Sequence, residues 1–154
     1  MPSDFAARQK NDIIRDVSSL GSLIFYFLFC LFLLALKNYF LLKRITVGVI
    51  AIYAVVILTR TFYFKERPVR LSHKNYIESL DASSFPSLHS ARITFLSAVL
   101  IQYFNNAYFT ILAAITALWV LYSRIYLKKH DIKDVSAGVA LGVLVYFAIN
   151  LYIS

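Results

Sequence analysis

Two histidines, an aspartate and a set of arginines stand out in a chain of 154 residues that is 60% hydrophobic. His130 and Asp134 are four positions apart. On a helix, that spacing lets a carboxylate one turn along accept the Nδ1 proton of an imidazole. His89 and Arg92 are three apart and share a helix side. Arg60 and Arg67 are seven apart, two helical turns, and share a side if helix persists to Pro68. Ser123-Arg124 stands just before His130. Guanidiniums bind tetrahedral oxyanions through forked N–H pairs, and helix N-termini bind anions through free N–H groups. A neutral imidazole held in one tautomer is a nucleophile or base, and a second imidazole can protonate a leaving oxygen. Together these groups describe phosphoryl transfer in which arginines, rather than a metal, hold the developing charge.

The rest of the chain says what positions them. Sixteen Lys and Arg face eight acids, a formal charge of +8. The mean hydropathy is +0.68, well above that of an ordinary soluble domain. Uncharged runs of membrane length recur, over 17–36, over 45–64 (broken only by Arg60), over 93–123 and over 135–153. A helix of about 20 residues spans the roughly 30 Å hydrocarbon core. The run 93–123 is too long for one crossing, and Asn105-Asn106 divides it. The expected fold class is all-α, a polytopic membrane helix bundle forming one domain over 1–154. About five transmembrane helices are expected, near 17–36, 45–64, 87–104, 107–126 and 132–153, with a short N-terminal interfacial helix over 4–16. The runs lack alternation and exceed strand length, so a β-barrel is not expected. A basic turn is expected at 37–44, and a loop at 65–85 with a short helix in "KNYIESL". The first sixteen residues, polar and mixed in charge, do not read as a cleavable leader. Parity then places Arg60, Arg67, Arg70, His89, Arg92, Arg124, His130 and Asp134 at one membrane face.

Three segments carry a resemblance: "RTFYFKERP" at 60–68, "PSLH" at 86–89 and "SRIYLKKHDIKD" at 123–134. They resemble, in order, the motifs of the type 2 phosphatidic-acid phosphatase superfamily of integral membrane lipid phosphatases. Those motifs are Lys, six residues, Arg-Pro; then Pro-Ser-Gly-His; then Ser-Arg, five residues, His, three residues, Asp. The third matches at every defined position. Arg60 stands for the first-motif lysine and keeps the charge, whereas Leu88 stands for the second-motif glycine. "RDVSSLGS" at 15–22 also looks like the entry to the first span in some members. The resemblance implies roles. His130 attacks phosphorus and forms a phosphohistidine, Asp134 orients it, and His89 protonates the leaving oxygen. Arg60, Arg67 and Arg124 hold the phosphoryl oxygens with Ser87 and the backbone at Leu88, while Pro68, Pro86 and Ser123 shape the motifs. It further implies hydrolysis of a terminal phosphate from a lipid phosphate or diphosphate, such as a polyprenyl diphosphate or phosphatidylglycerophosphate. The alternative is a catalytically weak homologue that binds or moves lipid phosphates, suggested by Leu88. The related haloperoxidases share the motifs but are soluble and larger.

Other residues read more plainly. His73, Lys128 and Lys129 are expected to be interfacial polar residues or anchors, and Arg70, Lys74, Arg92 and Lys133 stay undecided. Aromatics at 62–64, 122 and 126 suit an interfacial belt. Cys30, alone in the chain, reads as a small packing residue. No cofactor is expected. A zinc site from His89, His130 and Asp134 is disfavoured because the surrounding arginines repel a dication. The basic charge suits membrane lipids and a lipid phosphate substrate, not nucleic acid, since no soluble basic domain exists to present a groove. A transporter would place charge midway along its spans, and here the charges cluster at one end. With the phosphate-binding cations set aside, Lys37, Lys43 and Arg44 remain as cytoplasmic anchors. The expected location is therefore the cytoplasmic membrane, with the active site on the extracytoplasmic face. The sequence leaves oligomeric state open.

Overall fold

The computed structural model describes residues 2–69 and 75–153. Arg70, His73 and Lys74 lie outside the described residues. Among the described residues, seven helices follow in order: α1 (Pro2–Ser19), α2 (Leu23–Ala35), α3 (Tyr39–Phe62), α4 (Tyr76–Ala82), α5 (Leu88–Phe104), α6 (Ala107–Tyr126) and α7 (Ile132–Tyr152). No strand occurs among the described residues, and the protein is the expected all-α membrane bundle. Helices α3, α6 and α7 are long and apolar enough to cross a membrane, and the α1–α2 pair, bent by 50°, makes a fourth candidate span. Helix α5, at 17 residues, lies at the short end of the membrane-spanning range.

The helix starts follow local chemistry. Six of them are capped by an Asn, Ser or Asp side chain that accepts a backbone N–H one turn in: Ser22, Asn38, Asn75, Ser87, Asn106 and Asp131. At α7 the bond is reciprocal. Asp131 accepts from the Asp134 N–H, and the Asp134 side chain accepts from the Asp131 N–H. Helix α5 ends where Asn105 turns left-handed, at φ 43°.

Helix α5 is the hub and packs on α3, α6 and, most extensively, α7. Two glycines of α7 allow the approach. A Cβ on Gly138 would lie 2.5 Å from the Ser87 carbonyl oxygen, and one on Gly142 would lie 2.5 Å from that of Ala91. The same closeness lets the Ser87 N–H donate to the Asp134 carbonyl at 3.0 Å. The motif that begins α5 and the motif that begins α7 thus meet backbone to backbone. Phe95, Ile45, Ile52, Val56 and Val99 fill the core between α3 and α5.

Three expectations need correction. The first span is not one straight helix over 17–36, because α1 runs to Ser19 and the chain breaks at residues 20–22 before α2. The basic turn is only Lys37 and Asn38, since the Asn38 side chain already caps α3. Arg44 is not an exposed anchor. It is buried, and its Nη2 donates to Gln102 Oε1 and Asn150 Oδ1, each at 2.7 Å. Two neutral amides on α5 and α7 supply acceptors that let a guanidinium stay inside the bundle.

Candidate active site

Helix α3 stops at Phe62, so Arg60 and Arg67 do not share a helix side. Tyr63 is extended, at φ −136°, and residues 63–67 run as a strap beside the segment before α5. The Ser84 N–H donates to the Lys65 carbonyl at 2.8 Å, and Ser84 Oγ donates to the Glu66 carbonyl at 3.2 Å. This long-range pairing replaces the last helical turns, and it still brings Arg67 back over Arg60.

A cavity of about 290 Å³ results. Arg60, Arg67, Arg92, Arg124, Lys129, His89 and His130 line it, with Leu88, Tyr53, Asp81, Ser22 and Leu23 in its walls. Arg60, Arg92, Arg124 and His130 are buried. Each guanidinium is aimed by a neighbour. Arg60 donates to the Leu80 carbonyl at 2.8 Å and the Pro86 carbonyl at 3.1 Å. Arg67 donates to the Asp81 carbonyl at 2.5 Å. Arg92 donates to the Tyr53 hydroxyl at 2.8 Å and has its other terminal nitrogen 3.4 Å from His89 Nδ1. Arg124 donates to Ser18 Oγ at 2.8 Å. The Nε of all four arginines is buried without a partner, an arrangement that leaves donor capacity for an anion.

His130 sits between α6 and α7. Burial, with Arg124, Arg67 and Arg60 close by, pushes its pKa down to about 3, against a weaker opposing effect of the Ser84 backbone. The ring is therefore neutral at physiological pH, the form a nucleophile needs. Its Nδ1 has no hydrogen-bond partner and faces Asp134 Oδ2 at 3.7 Å. Asp134 is fully buried, and its other oxygen is bound by Lys65 Nζ at 2.7 Å. Lys65 also binds Asp131 Oδ2 at 2.6 Å.

The sequence-expected residues divide accordingly. His89, His130, Arg60, Arg67, Arg124 and Leu88 come together around the cavity, and Asp134 stands directly behind His130. Ser87 does not line the cavity. Its Oγ caps α5 and accepts from Ser90 Oγ at 2.9 Å, while its N–H is spent on Asp134. Leu88 is the first residue of α5, in helical geometry, and forms part of the cavity wall. Lys129 is in the lining and is not merely an anchor; burial first, then Arg124 and Arg67, lower its pKa. Arg92 joins the site beside His89. Ser18 and Lys65 were not singled out by the sequence reading. Ser18 lies in "RDVSSLGS" and Lys65 two positions before Arg67 in "KERP", so the signals were adjacent. Among the described residues, no three His, Cys, Asp or Glu groups are arranged to hold a metal ion.

These elements define a class, a membrane helix bundle with an arginine-lined cavity and paired histidines at one end. The chain belongs to the PAP2 superfamily, whose model matches residues 49–154. Two solved structures share the fold. One is the transmembrane PAP2-type phosphatidylglycerolphosphate phosphatase of Bacillus subtilis, with a TM-score of 0.75 and 20% identity over 94% of this chain and 76% of that one. The other is LpxE of Aquifex aeolicus, with a TM-score of 0.77 and 20% identity over 94% of this chain and 87% of that one. No curated protein matches the chain. The resemblance carried by the three motifs is thereby confirmed at the level of family and fold.

Proposed function

We propose that the protein is a membrane lipid phosphatase that removes a terminal phosphate from a lipid phosphate or diphosphate through a phosphohistidine on His130. The observation that carries this reading is the cavity itself, where four guanidiniums with buried, unpartnered Nε groups, three of them on buried residues, face two imidazoles. A phosphoryl group fits that chemistry better than a carboxylate, because three oxygens can each find a donor.

In the proposed reaction, neutral His130 attacks phosphorus in line with the lipid oxygen. The P–O bond to the lipid breaks, and His89 delivers a proton to the leaving oxygen. Asp134 stabilises the imidazolium that forms. Water then attacks the phosphohistidine, giving up its proton to His89 and releasing inorganic phosphate. Arg60, Arg67 and Arg124 hold the equatorial oxygens throughout.

A lipid substrate is supported by position. The cavity shares Leu23 with an apolar groove of about 500 Å³ between α2 and α3, suited to a hydrocarbon chain. Arg92 and Lys129 add two cations beyond the three assigned to one phosphate, which supports a diphosphate or a headgroup with a second phosphate. The proposed location is the cytoplasmic membrane with this cavity extracytoplasmic, since Lys37 and Lys43 lie by the opposite bundle end. Cysteine-accessibility labelling at Asn105-Asn106 in intact cells tests the sidedness. The activity is tested by phosphate release from polyprenyl diphosphate, phosphatidylglycerophosphate and phosphatidate with purified protein. Release that is absent in His130→Ala is expected. No release from any of the three, or equal release by His130→Ala, overturns the reading.

A further inference from the structure

Lys65 is the unexpected member of the site. It does not line the cavity, yet it makes two short ion pairs behind it. One partner, Asp134, has a fully buried carboxylate, and the other, Asp131, is the half-exposed cap of α7. Its own backbone is fastened as well. The Lys65 carbonyl accepts from the Ser84 N–H at 2.8 Å, and its N–H donates to Ser83 Oγ at 3.4 Å. The ammonium therefore reaches Asp134 from a fixed origin.

The two oxygens of Asp134 are divided by these contacts. Oδ1 takes the Lys65 ammonium at 2.7 Å. Oδ2 takes the Asp131 N–H at 3.1 Å and faces His130 Nδ1 at 3.7 Å. Rotating the carboxylate away from His130 would break both the ion pair and the capping bond. We propose that Lys65 is a positioning residue, which holds the Asp134 carboxylate in the orientation that presents Oδ2 to His130 Nδ1 and so keeps the His130 proton on Nδ1. Nε2 is then the nitrogen left free for phosphorus. Burial opposes the Lys65 charge, but its hydrogen bonds to Asp131 and Asp134 outweigh that and raise its pKa. It therefore remains an ammonium throughout the neutral range.

The catalytic part of this inference rests on the phosphatase reading, whereas the positioning part has a readout without turnover. Histidine-labelled protein in detergent, with the His130 signals assigned by their loss in His130→Gln, reports the tautomer directly through its ring nitrogen shifts. The wild type is expected to show one His130 tautomer, protonated on Nδ1. Lys65→Gln and Lys65→Met are expected to show a mixture, and Lys65→Arg, which keeps the charge and pairs well with carboxylates, to restore the single form. In turnover assays the neutral variants are expected to lose about 10- to 100-fold in kcat with KM within about twofold, because orientation and not substrate binding is disturbed. The same tautomer population in wild type and a neutral variant overturns the proposal, whatever happens to stability. If both neutral variants fail to fold while Lys65→Arg matches the wild type in tautomer and kcat, Lys65 is a tether only, which also overturns it. A wild type without turnover counts against the phosphatase reading and leaves the tautomer comparison to decide the role of Lys65.

Discussion

At the scale of single residues, the arginines differ in what they grip. Arg60 spends both terminal nitrogens on the Leu80 and Pro86 carbonyls, which sit on either side of the turn into α5. A lysine keeps the charge but cannot span two acceptors in fixed directions. Arg60→Lys is therefore expected to lose about 2 kcal/mol of stability and to lower kcat/KM, measured by thermal unfolding and phosphate release. Full retention of both would show that the fork is dispensable. His130 supplies a pH prediction. Its folded pKa lies near 3, below the ordinary value of about 6.5, so the proposed nucleophile stays neutral well into acid. For the free enzyme, kcat/KM should show no fall from His130 protonation between pH 8 and 5. The stability sign runs with pH. The unfolded chain binds the proton first, so this residue makes the fold less stable as pH drops below 6.5 towards 3. A titration of kcat/KM with an acid limb centred near 6.5 would contradict the burial of His130 among arginines. In the proposed reaction arginines hold the phosphoryl oxygens, so EDTA should leave activity unchanged and vanadate should inhibit, as a mimic of five-coordinate phosphorus. EDTA inactivation reversed by magnesium or zinc would refute the proposed chemistry.

At the scale of elements, the site depends on how closely α5 and α7 approach. Gly138→Ala would set a methyl 2.5 Å from the Ser87 carbonyl and 2.8 Å from Ser90 Cβ. Neither is the flexible end of a long side chain, so the helices must part. A cost of about 1–3 kcal/mol is expected, together with lost activity, because Ser87 and Asp134 are the contact that seats His89 beside His130. An unchanged Tm would mean that the helices part freely. Much of this level was legible in the sequence. Helices α6 and α7 begin and end within a residue of the expected spans, because Asn106 and Asp131 are strong caps next to long uncharged runs. What was hidden depended on distant partners. The break after Ser19 has no proline to announce it, and it packs under His89 and Val120. The strap at 63–67 follows Ser83 and Ser84, not the helical period of α3. The burial of Arg44 depends on acceptors 58 and 106 positions away, and the role of Lys65 on one 69 positions away.

At the scale of the whole molecule, the two ends of the bundle are polar in different ways. At one end the cations surround a cavity and keep unpartnered donors. At the other, Arg44, Gln102 and Asn150 bond to one another across α3, α5 and α7. The second cluster holds the three helices in register while the first remains open to a ligand. Arg44→Ala should then cost stability, on the order of 1–3 kcal/mol from the lost charged hydrogen bonds, with KM nearly unchanged. A large rise in KM with an unaltered Tm would mean that the far end shapes the cavity directly.

The contact between Ser18 and Arg124 has a consequence for what counts as the working unit. All three motifs lie within residues 49–154, the stretch by which the family is recognised. The hydroxyl that steadies Arg124 and the bend that packs on His89 lie before it. Recognisable ancestry and functional completeness therefore have different borders in this chain. A graft that carried over only the recognisable stretch would transplant the chemistry and leave behind the hand that holds it still.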